Sequence, residues 1–234
     1  MIDKQIRFYQ YHPFLLRVIL ILILILCCNF RAQIPDPDPE RFSKEIEQFI
    51  QWDMKNSYIE NTILFVGSSS IRLWPTALYF PNLYVINRGF GGSHISDVNY
   101  YYEQVVKKYK PSKIIFYAGD NDIAAGKSPD QVLEDFQNFT EKVEMDFPET
   151  LVFYLFIKPS SSRWQFWPHM LAANLKIKQF SEGNPNFFYI DTASPMLNDT
   201  GEPNPDLFQD DNLHLNDQGY QLWSKILLPY LEAN

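Results

Sequence analysis

Five apolar runs of strand length recur along the chain, at Ile63–Val66, Leu83–Ile86, Lys113–Tyr117, Leu151–Ile157 and Phe187–Ile190, and none alternates strictly with polar residues. Runs of this kind, rich in β-branched and aromatic side chains, mark strands buried on both faces. Segments of helical period separate them. Val98, Tyr101, Tyr102, Val105 and Tyr109 share one helix face, and Val132, Phe136, Phe139 and Val143 share another. The second of these helices has a clear start, with Ser128 as N-cap, Pro129 in the first turn and Gln131 closing a capping box. A last helix is expected from about Asp217 to Leu231, capped by Asn216, with Leu222, Trp223, Ile226 and Tyr230 facing inward. Strands alternating with helices in this way require right-handed crossovers and a parallel sheet covered on both faces, a doubly wound five-stranded α/β three-layer sandwich. Ligands bind such folds beyond the carboxyl ends of the strands, so functional residues should stand just after a strand.

At 234 residues the chain has room for one such domain and an N-terminal extension. Lys4, Arg7 and Arg17 precede an unbroken apolar run from Val18 to Cys28, with Phe14 to Leu16 just ahead of it. Basic residues followed by an apolar run of roughly 15 residues, short of the about 20 that cross a membrane, read as a secretory signal. Asn29 to Ala32 make a poor small-x-small cleavage site. Residues 1–32 therefore serve either as a cleaved signal peptide or as a retained anchor, a membrane tether through residues 14–28. On both readings the remainder is exported: periplasmic, secreted or anchored facing outward. Ile34-Pro35-Asp36-Pro37-Asp38-Pro39 is a stiff spacer, because each Pro turns the residue before it away from helix. Residues 33–41 read as linker and 42–234 as a single domain.

Both cysteines, Cys27 and Cys28, lie in the first segment, so the domain has no disulfide, cysteine nucleophile or thiolate metal site. Without residues 1–32, which hold four basic residues and one acidic residue, the formal charge moves from −8 to −11. That acidity argues against nucleic acid or anionic lipid headgroups as partners.

Four short stretches stand where ligands should bind. After the first strand come Gly67-Ser68-Ser69-Ser70, a tight turn into a helix whose free amides favour developing negative charge. After the second come Asn87-Arg88-Gly89-Phe90-Gly91-Gly92-Ser93, whose glycines let the backbone approach a ligand closely. Gly119-Asp120-Asn121-Asp122 follows the third strand. Asp211-Asn212-Leu213-His214 precedes the final helix, with a carboxylate and an imidazole at turn spacing. One imidazole nitrogen can donate to the carboxylate while the other takes a proton, which is what a hydroxyl nucleophile needs.

In this order and spacing the four stretches resemble the sequence blocks of the SGNH, or GDSL-like, hydrolases, and the resemblance covers roughly residues 60–230. It implies a flavodoxin-like sheet and a carboxylic ester hydrolase without cofactor or metal, similar to the esterases related to platelet-activating-factor acetylhydrolase. It makes Ser69 the nucleophile, with Ser70 and then Ser68 as rival hydroxyls, His214 the base and Asp211 its orienting acid. The amides of Ser69 and Gly92 and the side chain of Asn121 would form the oxyanion hole, with Gly91 or Gly89 as alternatives to Gly92. Ser68 departs from the family, which carries Asp there.

The expected partner is a small-molecule, carbohydrate or lipid ester with a short acyl or acetyl group, and acyl transfer fits the same residues. The aromatic segment from Lys158 to His169, and Trp74, are candidates to wall the site. His169 is a rival base without a carboxylate at turn spacing. Two other classes could use the same residues. A metal-dependent phosphoesterase would use the Asp-rich motifs as ligands, although histidines are scarce, with four in the chain. A non-catalytic carbohydrate-binding module on the same fold would use the aromatic segment as its platform.

Overall fold

The computed structural model describes residues 33–233, so the targeting segment and the choice between cleavage and anchoring lie outside the described residues. Five strands, β1 (Ile63–Gly67), β2 (Val85–Gly89), β3 (Lys113–Tyr117), β4 (Leu151–Leu155) and β5 (Phe187–Ile190), form one parallel sheet in the order β2-β1-β3-β4-β5. The chain runs outward from β1 to β2 and then returns to the other side of β1, so the topological switch lies between β1 and β3. Gly67 is level with Gly89 on one side and with Tyr117 on the other, so three strands end together at that edge.

Successive strand residues face opposite layers. Leu64, Val66, Ile114, Phe116, Val152 and Tyr154 pack beneath α1 (Ser43–Asp53), then α4 (Ile95–Tyr100) and α5 (Tyr102–Val105), and further on α7 (Pro129–Asp146) and α8 (Trp167–Ser181). Ile63, Phe65, Ile115, Tyr117, Phe153 and Leu155 pack against the other layer, made by α2 (Ser69–Arg72), α3 (Thr76–Tyr79) and α9 (Asp217–Glu232). A short helix, α6 (Asp120–Ala124), follows β3 at the ligand-binding edge.

The second strand begins two residues later than the apolar run and continues past it to Gly89, because Asn87 and Arg88 enter it with their polar groups satisfied. The buried Arg88 guanidinium donates to Asp53 at 2.7 Å and to the hydroxyls of Tyr58 and Tyr109. Helix α7 starts as expected, with the Ser128 and Gln131 backbones and side chains exchanging hydrogen bonds. The face from Val98 to Tyr109 is buried, but its helix breaks at Tyr101, whose hydroxyl donates to the Pro39 carbonyl. Helix α9 is capped by Asn216 as expected, yet it turns one residue further than its period indicated. Tyr220, Trp223, Leu227 and Leu231 are buried, whereas Tyr230 is 43% exposed. Its apolar residues cover more than half its circumference, and the rings of Trp74 and Tyr117, packed on Trp223, decide which stripe turns inward.

The compact unit begins at Pro35, inside the spacer. Asp36 pairs with Lys127 at 2.5 Å, and Arg41 pairs with Asp97. Among the described residues no helix is long and apolar enough to cross a membrane.

Candidate active site

Gly67 ends β1 with φ of 135°, and a Cβ there would lie 1.9 Å from the Tyr117 carbonyl oxygen, so only glycine lets the chain turn this close to β3. The Ser68 amide donates to that same carbonyl, and α2 begins at Ser69. The three hydroxyls of the turn go to different places. Ser68 Oγ is buried without a hydrogen-bond partner, and Ser70 Oγ accepts from Lys158 Nζ at 3.1 Å. Ser69 Oγ stands 3.0 Å from His214 Nε2.

His214 comes from the loop ahead of α9. Asn212, between the acid and the base, is in the left-handed region at φ 54°, a conformation Asn tolerates, and this tightens the turn so that Asp211 and His214 meet. Asp211 Oδ1 accepts the amides of Leu213 and His214, both at 2.9 Å, while Oδ2 lies 2.5 Å from His214 Nδ1. Partial burial raises the Asp211 carboxyl, but those two amides and the imidazole outweigh it and hold it down to about 2. An ionised Asp211 only accepts, so Nδ1 carries the proton and Nε2 is left to accept from the Ser69 hydroxyl. His169 is exposed near the start of α8, and Ser69 meets His214 instead.

The other two motifs converge on the same edge. Asn121 Nδ2 donates to the Ser93 carbonyl at 3.0 Å, which joins the loop after β3 to the loop after β2. Gly92, just before Ser93, has φ of 82° and open space where a Cβ would be. Gly89 and Gly91 have packing reasons, since a Cβ would lie 2.4 Å from the Arg72 amide at the first and 2.6 Å from its guanidinium carbon at the second.

Charges that sequence reading missed lie beneath these loops. Asp120 is buried between Lys158 Nζ at 3.3 Å and Arg163 Nη1 at 3.1 Å. Burial alone raises its carboxyl, but the two cations overcome this and hold it below the ordinary range. Burial lowers the Lys158 ammonium, and Asp120 opposes that shift. A Lys directly after an apolar strand run at the ligand edge was the available signal. Asp122 is likewise buried and pairs with Lys127 at 3.2 Å. Both carboxylates are thus occupied by cations, and among the described residues no group of three or more His, Cys, Asp or Glu side chains is arranged to hold a metal ion.

The aromatic segment reaches the rim: the Ser162 amide donates to the Asn212 carbonyl at 3.2 Å, and the half-buried rings of Trp164 and Trp167 stack at 5.8 Å. Trp74 does not line the site. It is core, stacked on Tyr220 with its indole N–H donating to Ser224.

The GDSL-like lipase/acylhydrolase family model matches residues 70–222. The chain belongs to that family. The match begins one residue after Ser69 and takes in the other three motif stretches. As a member of the family it is an ester-hydrolysing enzyme. No curated protein matches it in sequence. Among solved structures it resembles a platelet-activating-factor protein of Streptococcus pneumonia, at 21% identity and TM-score 0.72, covering 91% of this chain and 98% of the other. It also resembles a GDSL-like lipase of Bacteroides thetaiotaomicron, at 18% identity and TM-score 0.68, covering 83% and 97%. A third is an acetylxylan esterase of Geobacillus stearothermophilus, at 15% identity and TM-score 0.61, covering 76% and 98%. At these identities the likeness carries the fold, and the doubly wound five-stranded sheet is that of the GDSL-like hydrolases.

Proposed function

We propose that this GDSL-like enzyme hydrolyses short-chain carboxylic esters through a Ser69-His214-Asp211 triad, on an exported domain. The observation that carries the reading is the unbroken path from Asp211 Oδ2 through the imidazole to Ser69 Oγ, 2.5 Å and 3.0 Å long, at the switch between β1 and β3.

His214 Nε2 takes the Ser69 proton as Oγ bonds to the ester carbonyl carbon, and the carbonyl pair moves onto oxygen. The amides of Ser69 and Gly92 and the Asn121 Nδ2 group donate to that oxyanion. The pair then returns, the C–O bond to the alcohol breaks, and the departing alkoxide takes the proton from His214. Water, deprotonated by His214, releases the acid from Ser69 by the same two steps. Asp211 stabilises the imidazolium throughout and stays ionised.

A short acyl group, acetyl above all, is supported by the presence of an acetylxylan esterase among the structural neighbours. An ester panel of graded acyl length, run with wild type and Ser69→Ala side by side, tests nucleophile and pocket together. Turnover should fall with chain length and vanish in the variant. Wild-type turnover in Ser69→Ala would overturn the nucleophile, and a preference for long acyl chains would overturn the substrate class.

A further inference from the structure

We infer that Arg163 is a positioning residue for the oxyanion hole: anchored on Asp120, it fixes the Asn121 amide so that Nδ2 is presented as a donor to the reacting oxygen. The inference rests on the proposed triad and concerns a residue outside the four motif stretches.

Arg163 Nη2 donates to Asn121 Oδ1 at 2.9 Å while Asn121 Nδ2 donates to the Ser93 carbonyl at 3.0 Å. A guanidinium can only donate and a carbonyl can only accept, so a single orientation of the amide satisfies both neighbours. Turned over, it would set two donors against each other and two oxygens against each other. One Nδ2 hydrogen is used by Ser93, and the second remains for a ligand beside Gly92. Without Arg163 the amide keeps one partner and can rotate its oxygen toward the place where an oxyanion must form.

The same guanidinium brings charge to the site. Asp120 holds Arg163 at 3.1 Å and Lys158 at 3.3 Å, and Lys158 donates in turn to Ser70 Oγ and to the Tyr117 hydroxyl, each at 3.1 Å. Asp120 is 3% and Lys158 1% exposed, and Arg163 19%, so the network lies mostly away from water. It stands one hydrogen bond from Asn121 at one end and from the residue after the nucleophile at the other. A charged donor on Oδ1 draws electron density from the amide and strengthens the N–H that remains. The turn that carries the nucleophile is braced through Ser70, Lys158 and Asp120.

The test is a double-mutant cycle on the full chain with Arg163→Met, Asn121→Ala and the pair, together with Arg163→Gln, which keeps a neutral donor. The readouts are kcat and KM on p-nitrophenyl acetate, the rate at which a p-nitrophenyl phosphonate labels Ser69, and the melting temperature. Arg163→Met should lower kcat and the labelling rate on the order of 10-fold, with KM unchanged and the protein still folded at the assay temperature. Arg163→Gln should recover part of the loss. The pair should be no slower than Asn121→Ala alone, because a positioning residue has nothing left to position. Wild-type kinetics in Arg163→Met, losses that multiply in the pair, or a fall in melting temperature that accounts for the lost activity would each overturn the inference. Wild type that is labelled at Ser69 but cleaves no panel ester would remove the substrate reading while the labelling rates still decide the role of Arg163. Equal labelling of Ser69→Ala would bring down both.

Discussion

Asp211 is tied down on both carboxylate oxygens, by two backbone amides and by the His214 ring. Its carboxyl, held at about 2, lies below the ordinary 3.8, so what its charge contributes is complete above pH 4 and is lost only as pH falls through about 2. Protonation of Asp211 therefore cannot set an acid limb of activity above pH 4. Asp211→Asn should behave differently from acidification, because the Asn amide can present a donor to Nδ1 and favour the wrong imidazole tautomer. In Ser-His-Asp hydrolases this replacement costs on the order of 10⁴ in kcat. The same loss is expected here at pH 5, 7 and 9 alike, with Ser69 still present, and pH–rate profiles of the two proteins check it. The residue scale is also where sequence reading was most uneven. Asp-x-x-His is local, and its partners meet within one turn. Lys158 and Arg163 meet Asp120 only because β4 lies beside β3; the place of Lys158 directly after an apolar run marks it as unusual, but nothing local to residues 158–163 names Asp120 as the partner.

Lys127, in the turn between α6 and α7, ties elements together. Its ammonium reaches Asp122 on α6 at 3.2 Å, Asp135 on α7 at 2.6 Å and Asp36 of the spacer at 2.5 Å, and donates to Ser96 on α4 at 3.1 Å. Burial pushes the Asp122 and Asp135 carboxyls up to about 6 even with this cation beside them. Lys127→Met would leave the buried Asp122 and the half-buried Asp135 without a cation, which should destabilise the domain by about 3–5 kcal/mol at pH 7. Urea unfolding at pH 7 measures it, and a change below about 1 kcal/mol would mean that water replaces the ammonium. At this scale periodicity served well wherever an element has one apolar stripe, as in α7. It erred on α9, where apolar residues lie on several faces and the neighbouring layer chose among them, and on β2, where buried polar side chains extend a strand past its apolar run.

Across the whole molecule the spacer, the helices α4, α6 and α7 and the loops after β2 and β3 share one buried charge cluster, and its titration sets how stability follows pH. Burial, and then Lys127, hold His94 down to about 4, below its ordinary 6.5, so its contribution is complete above pH 6.5 and is lost as pH falls toward 4. The raised Asp122 and Asp135 act with the opposite sign, favouring the fold increasingly as pH falls from about 6 toward 4. Removing the histidine alone unmasks the second effect. The urea midpoint of His94→Asn should fall less than that of wild type between pH 7 and pH 4.5, and an equal or larger fall would show that His94 is not the destabilising group. By itself the sequence determined the alternation of buried strands and covering helices, the parallel sheet that follows from it, and the four motifs at the strand ends, because these depend on period and on neighbours a few residues apart. Only the tertiary structure decided which of three serines faces His214, that Trp74 is core, and that Asp120 and Asp122 are held by Lys158, Arg163 and Lys127. Those outcomes depend on which strands become neighbours and which groups share a low-dielectric interior, and distance along the chain carries no record of either.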